Sequence, residues 1–285
     1  MSENSENAES KRTNLRYALD LLRAFGGALV FSIPALMTME MWWLGFYQNG
    51  YRLALFVALV IPLLTGLSYF EGFEDTFTTK DDILDTFAAI AVGFIAAASM
   101  LLLFGVITPK MSADEIIGKI AIQTVVAALG AMFAESMLGM GDSEAEEHSR
   151  ERLRGASYFG QIFLMVIGAV YLSITLAATE EMVLIAYQMT EWHAVALVLF
   201  TLAIMHGFVY AIKHHRGDTN GSDESFISVF ARFTVVGYAV ALLVSAYVLW
   251  TFGRMDNTGT VEIIKAVVVL GFPAALGASA SRLIL

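Results

Sequence analysis

Glu40 and Glu181 share one pattern, Thr-x-Glu-Met, in which Thr38 and Thr179 stand two residues before the acid. A charged side chain at the centre of a membrane helix costs roughly 2.5 to 3.5 kcal/mol, so two retained carboxylates point to a cation or proton site. The two threonine hydroxyls would supply neutral oxygen ligands. Glu180, beside Glu181, gives the second occurrence an extra carboxylate. The plainer alternative is that each glutamate reaches the interface or satisfies a helix-packing hydrogen bond.

These residues recur because the chain repeats itself. A shift of 141 positions places Gly27, Ala28, Ser32 and Ile33 on Gly168, Ala169, Ser173 and Ile174 without a gap. Further on, Phe104-Gly105 matches Phe252-Gly253, and the run Ala127 to Ala131 matches Ala274 to Ala278. Internal duplication is a common design of membrane transport proteins.

The elements that must hold the glutamates follow from composition. Of 285 residues, 57% are hydrophobic and 15% charged, with mean hydropathy +0.66, against about 25% charged in a soluble domain. Eight apolar runs reach the roughly 20 residues that a bilayer requires: Leu19 to Phe46, Leu53 to Phe70, Ile83 to Ile107, Ile116 to Leu138, Phe159 to Tyr187, Ala194 to Ile212, Val229 to Phe252 and Val261 to Leu285. Unbroken apolar runs predict helices, since barrel strands would alternate. The expected fold is all-α and integral to the membrane. Its eight transmembrane helices form two parallel four-helix repeats around a pseudo-twofold axis along the membrane normal. Residues 1–18 would be a disordered cytoplasmic tail, 19–138 and 158–285 the two repeats, and 139–157 a charged cytoplasmic linker. Of the 17 basic residues, only Arg52, Lys110, Lys119, Arg254 and Lys265 fall in the loops opposite the termini, which puts both termini inside. Small residues four apart, Ala127 with Ala131 and Gly277 with Ser281, mark packing faces expected near the axis.

Secondary candidates are weaker. Glu115 and Glu262 open the fourth and eighth helices, where Ser112 with Glu115 makes a capping box. They serve helix starts or line an acidic outer vestibule. Glu135 is matched by Arg282, which allows a salt bridge or two unrelated surface charges. His206 lies deep in the sixth helix and suits a proton relay or a single structural hydrogen bond. The acidic group Glu71, Glu74, Asp75, Asp81, Asp82 and Asp85 has no counterpart in the second copy. It is a solvated loop or an inner cation entrance.

Zero cysteines exclude disulfides and thiolate metal sites. Gly139-Met140-Gly141-Asp142 has the form of an intramembrane protease motif but falls in the linker. No catalytic set and no cofactor are expected, the identity of any metal is open, and a net charge of −10 leaves no basic face for nucleic acid. The partners implied are the lipid bilayer and an inorganic cation or proton, and a homo-oligomer is compatible. The leading reading is an ion channel or transporter using the duplicated glutamates. Its alternative is a non-transporting membrane sensor, scaffold or assembly factor, with an intramembrane enzyme third.

The runs Thr38-Met39-Glu40-Met41-Trp42-Trp43-Leu44-Gly45-Phe46 and Thr179 to Thr190, with the closing Gly271-Phe272-Pro273-Ala274-Ala275, resemble a prokaryotic family of integral membrane proteins catalogued as a domain of unknown function. The resemblance covers nearly all the chain after the polar head. It implies a place in the cytoplasmic (inner) membrane of a prokaryote, and it brings no activity and no functional residues with it.

Overall fold

In the computed structural model, residues 2–71, 79–138, 157–215, 228 and 230–284 are described, and among them all regular structure is helical. The helices are α1 (Ser2–Leu36), α2 (Met39–Tyr47), α3 (Gly50–Glu71), α4 (Thr79–Leu103), α5 (Ala113–Leu138), α6 (Tyr158–Ala177), α7 (Glu180–Gln188) and α8 (Glu191–His215). A π-helical turn at Phe230–Val235 then leads into α9 (Val236–Thr251), and α10 (Thr260–Ile284) closes the chain. Eight of these segments are long and apolar enough to cross a membrane.

Two expectations need changing. The first apolar run does not continue to Phe46, because α1 stops at Leu36 and α2 starts afresh at Met39. The fifth does not continue to Tyr187, because α6 stops at Ala177 and α7 restarts at Glu180. α1 begins at Ser2, within the polar head. Both breaks fall at threonine. Thr38 (φ −96°, ψ 116°) and Thr179 (φ −74°, ψ 147°) are extended N-caps, followed by acids in the first turn that complement the helix dipole. Near the first break, Pro34 also removes one backbone donor from the last turn of α1.

The chain forms two compact units, Met1–Met37 with Val57–Glu151, and Thr38–Phe56 with Arg152–Leu285. In the first, α5 packs along α1 and α4 over a core of Ala24, Ala28, Val92, Ala96, Ala127 and Ala131. Such small residues let backbones approach where lipid supplies no hydrophobic drive for association. A Cβ on Gly93 would lie 2.7 Å from the Ala128 amide, and one on Gly130 would lie 2.6 Å from Phe31 Cβ. The spanning part of α5 is consequently 78% buried, well above any other span.

In the second unit, α10 packs on α6, α9, α8 and α7. Its core joins Met165 and Ala169 to Met205, Tyr238, Ala241, Ala274, Ala275 and Ala278. Ser281 Oγ donates to the Leu164 carbonyl at 2.8 Å and ties α10 to α6. The small-residue ridges of α5 and α10 are thus used inside their own units. Segment Thr38–Phe56 also belongs here, although the sequence boundaries group it with the first repeat.

α4 and α9 end alike. Gly105 and Gly253 both take φ +69°, a left-handed conformation that favours glycine. Val106 N–H returns to the Leu101 carbonyl and Arg254 N–H to the Leu249 carbonyl, each at 2.9 Å, so both turns satisfy terminal carbonyls in the same way.

Candidate functional site

The glutamates of the Thr-x-Glu-Met pattern begin short helices that connect spans. Glu40 is half-buried in the first turn of α2, while Glu180 and Glu181 are exposed in the first turn of α7. None of the three makes a hydrogen bond or ion pair among the described residues. Thr179 Oγ1 turns back to donate to the Leu176 carbonyl at 3.0 Å. Neither Thr38 nor Thr179 caps its helix through the side chain. On α2, Met41, Leu44 and Gly45 are buried while Trp43, Phe46 and Tyr47 are exposed, the disposition of a helix lying at an interface.

Each interrupted helix has a terminal carbonyl claimed by a polar side chain from elsewhere in its unit. In the first, Gln123 Nε2 donates to the Ala35 carbonyl at 2.9 Å. Gln123 is 0% exposed, and its Oε1 has no donor among the described residues. Four-residue spacing puts Glu115, Lys119 and Gln123 in a line on α5. Lys119 is buried, pairs with Glu115 at 2.7 Å and lies 3.7 Å from Met111 Sδ. A polar column therefore runs from the start of α5 to the end of α1. In the second unit, the guanidinium of Arg254 donates to the Ala178 carbonyl at the end of α6.

Segment Thr38–Phe56 is fastened to the end of α9. Gln48 Nε2 donates to the Phe252 carbonyl, and Phe56 meets Phe252 edge-on at 5.9 Å. Arg52 holds Asp256 through both terminal nitrogens at 2.8 and 3.0 Å, donates to the Trp250 carbonyl and lies 4.9 Å from the Trp250 ring centroid.

The secondary candidates divide. Glu115 N–H donates to Ser112 Oγ at 3.3 Å, the serine half of the expected capping box, while the Glu115 side chain pairs with Lys119. Glu262 is in the first turn of α10, where its carboxylate closes over Gly259. His206 Nδ1 is 3.2 Å from Thr234 Oγ1, and its ring meets Phe230 edge-on at 5.3 Å, so it rests on the π-helical turn. The side chains of Glu135 and Arg282, and linker residues 139–156, lie outside the described residues. Among the described residues, no three His, Cys, Asp or Glu side chains are grouped to hold a metal ion.

Gln123 and Arg254 carry the polar contacts at the helix breaks, Lys119 extends the first toward Glu115, and none of the three stands out from the duplication. Lys119 matches Ala266 and Gln123 matches Leu270 at the local shift of 147. The signal that could find Lys119 and Gln123 is polarity inside the otherwise apolar run Ile116 to Leu138.

No curated protein and no solved structure matches the chain. A family model matches residues 20–285, nearly all of the apolar sequence, and the chain accordingly belongs to the family described as "Putative integral membrane protein (DUF2391)".

Proposed function

We propose that the protein moves a small inorganic cation, proton included, across the membrane as a channel or transporter built from two four-span copies. The observation that carries this reading is the break in the first long helix of each unit. At each break a polar side chain takes a terminal carbonyl of the helix that ends, and a glutamate follows in sequence in the first turn of the next helix. Interrupted helices recur at the cation sites of transporters. In this reading Glu40 and Glu181, with Glu180, Thr38 and Thr179, attract the cation at the outer ends of the spans. The basic residues favour cytoplasmic termini in a prokaryotic cytoplasmic membrane.

The like contacts of Gly27 with Gly130 and of Gly168 with Gly277, and the matching turns at Gly105 and Gly253, support the duplication. A non-transporting sensor or scaffold is favoured by one observation, the position of both glutamates between spans. Flux in liposomes decides between the two. Purified protein should pass cations, Glu40→Gln and Glu181→Gln should each lower the flux by about tenfold or more, and Glu262→Gln should leave it largely intact. Flux absent from the wild type, or unchanged in both variants, would leave the scaffold reading in its place.

A further inference from the structure

We propose that the α3–α4 interface binds a monovalent alkali cation, with Asp82 as its charged ligand and Asp85, Ser68, Thr65 and Thr86 as supporting oxygens. Asp82, Asp85 and Thr86, three and four residues apart, share one face of α4. That face meets α3, because Ser68 Oγ donates to Asp85 Oδ2 at a long 3.4 Å and Thr86 Oγ1 is 3.0 Å from Thr65 Oγ1. Ser68 and Thr86 are 0% exposed and Asp82 only 6%. Asp82 Oδ1 is buried with no donor, and Asp82 makes no ion pair among the described residues.

A carboxylate withdrawn from water needs a donor or an opposite charge. The neighbouring hydroxyls have already committed their protons: Thr65 donates to the Ile61 carbonyl at 2.9 Å, Thr86 to the Asp82 carbonyl at 2.8 Å, and Ser68 to Asp85. What they have left to offer is lone pairs, the ligands of a hard cation. One deeply buried carboxylate calls for one positive charge, since Asp85 is only half-buried and already has Ser68. Glu71, Glu74 and Asp75, of the same acidic group, contribute no described side chain. The site is near the far end of α3 from α2, and it does not depend on Glu40 or Glu181.

The test is a binding measurement on the full chain in detergent, which separates it from the flux assay. Sodium chloride, titrated against choline chloride at constant ionic strength, should raise the melting temperature saturably. Asp82→Asn should lower the sodium affinity by at least about tenfold, because it removes the ligand charge. Ser68→Ala should weaken binding less, and it keeps the test decisive if Asp82→Asn does not fold. Asp114→Asn, at the exposed start of α5, should bind as the wild type does. No sodium-specific rise, equal rises in sodium and choline, undiminished affinity in Asp82→Asn, or, where that variant does not fold, undiminished affinity in Ser68→Ala would overturn the site. Stabilisation by calcium at concentrations where sodium has no effect would overturn the monovalent assignment.

Discussion

Gly168 and Gly277 leave each other no room for a side chain: a Cβ built on either runs into the carbonyl of the other. α6 and α10 touch there backbone to backbone. Gly168→Ala or Gly277→Ala should therefore destabilise the protein by about 1 to 3 kcal/mol, the usual range for overpacking. Gly26, whose Cβ would meet nothing within 4 Å, is the control, and Gly26→Ala should be neutral or stabilising. Unfolding curves in detergent check both expectations.

Gln123 spans the gap between α5 and the last turn of α1. Gln123→Leu keeps much of the volume but strands the buried Ala35 carbonyl, a loss of about 1 to 3 kcal/mol. The same substitution at half-exposed Gln161 should cost less. Equal unfolding midpoints for the two variants would mean that Gln123 does not secure the helix end.

Arg52 and Asp256 form a two-pronged pair, but the aspartate side chain is 50% exposed. Asp256→Asn should cost no more than about 1 kcal/mol, and less in high salt. Arg52→Ala should cost more, since it also removes the Trp250 carbonyl bond and the contact with the Trp250 ring. Unfolding of both variants at low and high ionic strength separates the charge from the stacking.

Orientation can be read with single cysteines in a chain that has none of its own. Asn49→Cys should react with an impermeant thiol reagent from outside the cell, and Ser143→Cys only from the cytoplasmic face. Three spans separate the two positions, so labelling of both from one face would require an even number between them and would overturn the eight-span topology.

The spans were legible because membrane helices advertise themselves by length and polarity, and the start of α5 was legible from Ser112 and Glu115. The breaks at Thr38 and Thr179 were not. Met39-Glu40-Met41-Trp42-Trp43-Leu44 is as apolar overall as the helix before it, so hydropathy runs through an interruption that only backbone geometry reveals. For the same reason the two glutamates looked intramembrane, when they start helices between spans. The duplication drew attention to paired positions and away from Lys119 and Gln123, whose matches are apolar. Asp82 was hidden among acids, since sequence alone does not tell a solvated carboxylate from one turned against a neighbouring helix.

Residues 38–56 are made early and used late. Their partners Trp250, Phe252 and Asp256 follow about two hundred residues later, which at 5 to 20 residues per second is a wait on the order of ten to forty seconds during translation. Through that interval Gln48 and Arg52 have none of the contacts that fix them. A cut in the linker would therefore not yield two self-sufficient halves, because the N-terminal fragment carries off a strap that the C-terminal fragment needs to close its own unit.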